Sequence, residues 1–190
     1  TGQQSNFLVA NQLYGLNFKE NPNIQVYHPE VKAYEVTDNK GKFVSVLYTD
    51  YHPRDGKRAG AWMSSTKDQC MEGKKDSRPH IINVMNFTRP TSTKPALLTF
   101  DEVTTMLHEF GHALHGMLAR STYQSLSGTS VYRDFVELPS QIMENWGVEK
   151  EFLDQFAVHY ETGEKMPAEL VQKIKDADNY NIGSFTLRQL

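Results

Sequence analysis

The chain has 190 residues, 38% hydrophobic and 23% charged, with a formal net charge of -3, which is the make-up of one soluble globular domain with its own core. That balance argues against a nucleic-acid partner, which leaves a basic excess, and no apolar run approaches the roughly 20 residues needed to span a bilayer. Cys70 is the single cysteine. It excludes an internal disulfide and any cysteine-based zinc site, and reads as an ordinary loop or core residue. The opening run TGQQSNFLVANQLYG has neither the basic stretch nor the cleavable apolar segment of a signal peptide. A cytoplasmic location is expected, with a periplasmic one open because the native amino terminus is not seen; a monomer is expected.

In chain order, Phe7–Leu16 reads as a helix, with apolar residues at Leu8, Leu13 and Leu16. Residues 24–53 read as a hairpin: Val31–Val36 and Phe43–Tyr48 are rich in β-branched and aromatic residues, and Asp38-Asn39-Lys40-Gly41 between them is turn chemistry. His52–Lys75 is polar and glycine-bearing, and its form is not specified by pattern. His80–Phe87 is a third strand, closed off by Arg89-Pro90. From Thr99 the pattern becomes helical. Thr99 and Glu102 have the capping-box spacing, in which each side chain satisfies a free backbone N–H at the helix start. Val103, Leu107, Phe110, Leu114 and Met117 follow at helical intervals and should face the core. Further helices are expected over Phe135–Trp146, Glu151–Tyr160 and Ala168–Asp176.

Helix, antiparallel strands and then several helices predict an α+β domain rather than a doubly wound sheet. Residues 1–98 carry the first helix and the strands, and residues 99–190 the helical part. Ile182, Phe185, Leu187 and Leu190 form an apolar pattern that stops with no cap, so a piece of a larger helical domain is expected.

Within the best-supported helix lies His108-Glu109-Phe110-Gly111-His112, the pattern H-E-x-x-H. At about 100° per residue the two histidines stand about 40° apart on one face, which brings both imidazoles over one point. That suits two corners of a tetrahedral zinc site. Glu109 lies one residue round from His108, within reach of an attacking water but off the metal, and is the candidate general base. A zinc peptidase needs a third protein ligand. The extended pattern with Gly and His further along would need them at 115 and 118, which hold His115 and Leu118. A carboxylate on a following helix remains: Asp134, Glu137, Glu144, Glu149 or Glu151. Glu137 and Glu144 share a face, and spacing leaves the choice between them open.

The run from Glu102 through His108-Glu-Phe-Gly-His112-Ala-Leu-His115-Gly, with Leu126-Ser-Gly-Thr129 and Arg133-Asp-Phe-Val-Glu137-Leu-Pro-Ser-Gln141, closely resembles the thimet-oligopeptidase family of zinc metallopeptidases. Tyr51–Lys57, Asn86–Pro90 and Lys94–Leu98 fit the same family, and the resemblance extends from about Asn17 to the last residue. Within the family the chain is most similar to peptidyl-dipeptidases, through Phe156–Tyr160 and Met166–Leu170. The resemblance implies one zinc ion with Glu137 as third ligand. It implies a zincin-like, mostly helical fold whose deep channel admits short, unstructured peptides, and hydrolysis that releases carboxy-terminal dipeptides or cuts internally. It also implies a sheet edge beside the metal that pairs with bound peptide, for which His80–Phe87 is the counterpart. Family members carry a tyrosine- and glycine-rich segment that binds substrate and the developing oxyanion. It would begin after Leu190, so a fragment that binds zinc but cuts poorly is expected.

Other residues have plainer readings. His115 shares the metal face, about 20° from His108, but is expected to be structural. Glu144 could orient a ligand histidine from behind, or serve as ordinary helix surface. Ser127-Gly128-Thr129 reads as a flexible loop that could touch substrate. His28, His52, His80 and His159 lack ligand spacing. Two rival functions are a zinc-binding pseudoenzyme, which should have lost Glu109, and a structural metal site, which should show a fourth protein ligand.

Overall fold

The computed structural model describes residues 2–188. Helix α1 (Gly2–Tyr14) starts earlier and ends earlier than Phe7–Leu16. Gly15 stops it in the left-handed conformation (φ 66°), where glycine has no Cβ penalty. The N–H groups of Gly15 and Leu16 turn back onto the carbonyls of Asn11 and Ala10, and Leu16 drops into the core.

The chain then builds a five-stranded sheet in the order β1 (Asn17–Glu20), β2 (Lys32–Thr37), β3 (Phe43–Asp50), β7 (His80–Val84), β4 (Trp62–Lys67). β1 (Asn17–Glu20) and β2 (Lys32–Thr37) pair antiparallel, and β2 forms the expected hairpin with β3 (Phe43–Asp50). Its turn is held by the Asp38 carboxylate, which accepts from the N–H groups of Lys40 (2.9 Å) and Lys42 (2.8 Å). The third expected strand is β7 (His80–Val84), shorter than His80–Phe87.

Two expectations fail here. The sheet is mixed: β7 runs parallel to β3, with Leu47 opposite Ile81. And β7 is interior, because β4 (Trp62–Lys67), within the polar stretch His52–Lys75, pairs antiparallel along its other side. A parallel neighbour needs a crossover, and residues 51–79 provide it, carrying β4 and the small hairpin β5 (Cys70–Glu72) and β6 (Lys75–Ser77) on the way. β4 escaped pattern reading because Trp-Met-Ser-Ser-Thr-Lys is mostly polar, as suits an edge strand.

α2 (Phe100–Met117) lies across the sheet. Its capping box forms as expected, with the Glu102 N–H donating to Thr99 Oγ1 (3.2 Å) and the Thr99 N–H to Glu102 Oε2 (2.8 Å). Leu107, Phe110, Leu114 and Met117 are buried against Val9, Leu16, Tyr34, Leu47 and Ile81, with Val103 partly buried beside them. At the far end, Arg78 donates to the carbonyls of Met117 and Ala119, which a helix cannot satisfy from within.

Beyond α2 the helices are more broken than the sequence suggested. Instead of one helix over Phe135–Trp146 there are α3 (Arg133–Val136), α4 (Leu138–Glu144) and a 3₁₀ turn over Asn145–Val148. Pro139 has no N–H to return to the preceding turn, so the helix restarts there, with Glu137 at the joint. Glu151–Tyr160 reduces to α5 (Lys150–Leu153). The run Val158-His159-Tyr160 instead folds back through Gly163 (φ 72°) and bridges Lys165, as β-branched and aromatic residues favour. α6 (Ala168–Asn179) and α7 (Ile182–Leu187) close the described chain. Leu190 lies outside the described residues. The domain is therefore α+β with a mixed sheet, and not mostly helical. No helix among the described residues is long and apolar enough to cross a membrane.

Candidate metal centre

α2 presents His108 and His112 on one face, their rings edge to face with centroids 4.9 Å apart. Because α4 packs along α2, the α3–α4 joint delivers Glu137 to the same point. Glu137 Oε2 stands 3.2 Å from His108 Nε2 and 3.1 Å from His112 Nε2. One ligand atom from each of the three lies within 4.8 Å of the others, and this is the only such group among the described residues. Zinc–nitrogen and zinc–oxygen bonds of about 2.0–2.1 Å in a tetrahedron place ligand atoms about 3.3 Å apart. Both histidine–glutamate separations are close to that edge, so the donor set fits zinc in number, type and spacing.

The surroundings orient these groups. Glu144 Oε1 lies 2.5 Å from His108 Nδ1. A carboxylate can only accept, so the proton sits on Nδ1 and leaves the Nε2 lone pair facing the cluster. Ser140, fully buried, brings its Oγ 2.9 Å from Glu137 Oε2 and 2.8 Å from the Glu137 carbonyl. Partial burial would raise the Glu137 carboxyl, but the Ser140 hydroxyl and the two imidazoles outweigh it and hold the group below the usual carboxylate range. Burial lowers His112, against the opposing charge of Glu137. An anionic Glu137 and a neutral His112 are the protonation states that metal binding requires.

Glu109 is buried and outside the three-residue group. Burial raises its carboxyl, the His108 ring opposes this, and the charge of Glu137 adds to it. A carboxyl moved up towards neutrality is suited to take and return a proton. Glu109, His108, His112 and Glu137 line an open cleft of about 280 Å³ whose other walls are Ala61, Trp62, Met63, Thr129 and Val136.

That lining corrects the expected sheet edge. β7 is interior, with a strand paired along each side, whereas β4 is an edge strand that borders the cleft, where the Met63 backbone hydrogen-bonds the Glu109 carboxyl. The residues that sequence reasoning missed are thus Trp62 and Met63, with Ser140 behind Glu137. The only signal was an apolar pair after Gly60 in an otherwise polar stretch. The Ser127–Thr129 loop is held in place. Ser127 Oγ donates to Gln69 Oε1, Gln69 also clasps Ser121, and Gly128 presses on Gly116.

Of the other candidates, Glu144 contacts His108 at Nδ1, on the side away from Glu137. The His115 ring packs edge to face on Phe135 and is not one of the group. Asp134, Glu149 and Glu151 are exposed, and Glu149 pairs with Lys175. His28, His52, His80 and His159 join no ligand group among the described residues.

The sequence matches Peptidase family M3 over residues 3–190, and the chain belongs to that family. It is similar to the dipeptidyl carboxypeptidase of Escherichia coli (45% identical over 177 residues, 93% of this chain and 26% of the relative). It is as similar to oligopeptidase A of Salmonella typhimurium (45% over 186 residues, 97% and 27%). The thimet-like oligopeptidase of Dictyostelium discoideum follows at 40% over 190 residues, 97% and 28%. The chain spans about a quarter of the length of these relatives.

Proposed function

We propose that this chain is the catalytic region of a zinc peptidase acting on short, unstructured peptides, and that it releases carboxy-terminal dipeptides. The observation that carries this reading is the meeting of His108, His112 and Glu137 at one wall of a cleft that also holds the buried Glu109. The two imidazole Nε2 atoms and the Glu137 carboxylate would hold the ion. Zinc at that position supplies a Lewis acid, which acidifies a water and polarises a carbonyl. A Glu109 carboxylate oxygen takes the proton from the attacking water and hands it to the departing amine nitrogen. Glu144 keeps His108 in the tautomer whose Nε2 is free, and Ser140 steadies the Glu137 carboxylate. The outer rim of β4, which no other strand covers, offers backbone hydrogen bonds to an extended peptide lying along the cleft, by β-strand addition.

Dipeptide release is the reading taken from the likeness to dipeptidyl carboxypeptidase. Internal cleavage is the second reading, because relatives named oligopeptidase A are equally similar. Mass spectrometry of the products from one peptide, with its carboxyl terminus free and amidated, separates them. Dipeptides from the free peptide and no cleavage of the amidated one support the first reading; equal internal cleavage of both overturns it. The measurement is made on the longer protein that contains this chain, and if that protein takes up zinc and cuts neither peptide the centre is non-catalytic.

A further inference from the structure

Gly111 occupies the fourth position of the H-E-x-x-H pattern, between the two histidines. A Cβ built on it would stand 2.6 Å from Ser140 Cα, 2.7 Å from the Pro139 carbonyl oxygen and 3.0 Å from the Pro139 carbonyl carbon. Carbon atoms in contact normally sit about 3.5–4.0 Å apart, and these neighbours are backbone, which cannot swing aside. Gly116, one and a half turns on, differs. A Cβ there would meet Ile81 Cδ1 and Met63 Cε at 2.7 Å, and both are ends of flexible side chains. In a helix interior glycine is worse than alanine by about 1 kcal/mol, so local preference does not call for Gly111; the approach of α4 does.

The point of contact is also the point that carries Glu137. Pro139 and Ser140 follow it within one turn, and the buried Ser140 hydroxyl touches both its carboxylate and its carbonyl. We infer that Gly111 is a positioning residue for the metal centre: its bare Cα lets α4 close on α2 until the Glu137 carboxylate meets both imidazoles, and Ser140 fixes the carboxylate there. This rests on His108, His112 and Glu137 being the metal ligands. A methyl group at 111 needs α4 to retreat by roughly an ångström to restore ordinary contact. Metal–ligand distances must be correct to about 0.2 Å. The three-ligand set therefore opens while the two histidines, on the same helix, stay in register.

The full chain tests this with Gly111→Ala, Ser140→Ala, Glu137→Ala and Gly147→Ala. Gly147 is the control, because a Cβ there meets only ordinary contacts, the nearest Leu107 Cδ1 at 3.4 Å. Three readouts are needed: zinc affinity by competition with a chromogenic chelator, the visible spectrum of bound cobalt(II), which reports coordination geometry, and far-ultraviolet circular dichroism. Gly111→Ala should lose about 10–100-fold in zinc affinity, the scale of lost support around a ligand. Its cobalt spectrum should shift towards that of Glu137→Ala while the dichroism stays parental. Ser140→Ala should lose about 10-fold, and Gly147→Ala nothing. Parental zinc affinity and cobalt spectrum in Gly111→Ala overturn the inference. If Gly111→Ala loses its helical dichroism, Ser140→Ala decides, and a parental spectrum there overturns it equally. A parent chain that takes up neither zinc nor cobalt defeats the ligand assignment itself, an outcome distinct from parental binding in Gly111→Ala.

Discussion

Two charged clusters, one at the sheet and one on α2, show what separates a structural network from a binding site. Beneath the end of β3, Asp50 accepts two hydrogen bonds from Arg54 (2.7 and 2.9 Å), one from the Tyr27 hydroxyl (2.8 Å) and one from Lys57 Nζ (2.9 Å). Lys57 Nζ also reaches the carbonyls of Asp50, His52 and Met85, and the side chains of Asp50 and Lys57 are only 3% and 4% exposed. Every negative oxygen there meets a cation the chain provides, so the cluster is closed and pins residues 50–57 ahead of β4. At the face of α2, His108 and His112 meet Glu137 from the α3–α4 joint, but among the described residues no lysine or arginine pairs with them. Lone pairs aimed at one point without a cation from the chain form a group that could hold a metal ion. The histidine pair is marked in the sequence by its four-residue spacing, but the pairing of Asp50 with Tyr27, Arg54 and Lys57, and the arrival of Glu137 beside the histidines, are visible only in three dimensions.

Substitutions should therefore separate along this line, and the largest effect is expected in chemistry alone. In the active peptidase Glu109→Gln should lose about 10²–10⁴ in turnover, the scale of a general base, with bound zinc unchanged by metal analysis. A variant short of zinc would make Glu109 a ligand. Next, Asp50→Ala leaves buried cations unpaired and should cost about 3–5 kcal/mol in urea unfolding, while the folded protein keeps its zinc affinity. Loss of zinc at parental stability would mean that the closed cluster serves the site.

Within the open cluster, Glu137→Ala should lower zinc affinity by well over 100-fold at little cost to apo stability, because this carboxylate is half exposed. Glu144→Ala should lose at most the 10–100-fold of an outer partner. Chelator competition ranks them, and the reverse order would exchange their roles.

The smallest effect is one of pH. Burial alone would raise the Asp50 carboxyl, but hydrogen bonds from Arg54, Lys57 and Tyr27 override it and hold it at about 2. An unfolded aspartate titrates near 3.9, so the folded value is depressed. Its contribution of roughly 2–3 kcal/mol is complete above about pH 4 and is lost as pH falls towards 2. Asp50→Asn should flatten the acid limb of stability by that amount. An unchanged limb would place the acid sensitivity elsewhere.

Much of this could be deduced from the chain itself, and the division follows the range of the interactions. α2 was legible from end to end, because its capping box, its helical period and the four-residue histidine spacing act within one stretch of backbone. The β2–β3 hairpin was legible for the same reason, its turn being closed by Asp38 on neighbouring N–H groups. By contrast, the strand that borders the cleft was hidden, because an edge strand needs no apolar alternation. The parallel course of β7 was hidden as well, because a crossover leaves no local mark. The break at Pro139 could have been foreseen from its missing N–H.

The sequence by itself determined that two histidines and a glutamate share one helix, and narrowed the third partner to Glu137 or Glu144 on spacing. Only the tertiary structure decided which ring atom each carboxylate meets, with Glu137 at both Nε2 atoms and Glu144 behind His108 at Nδ1. The reason is that this choice depends on how closely α4 lies against α2. That distance is set by backbone contact at Gly111, across residues far apart in the chain.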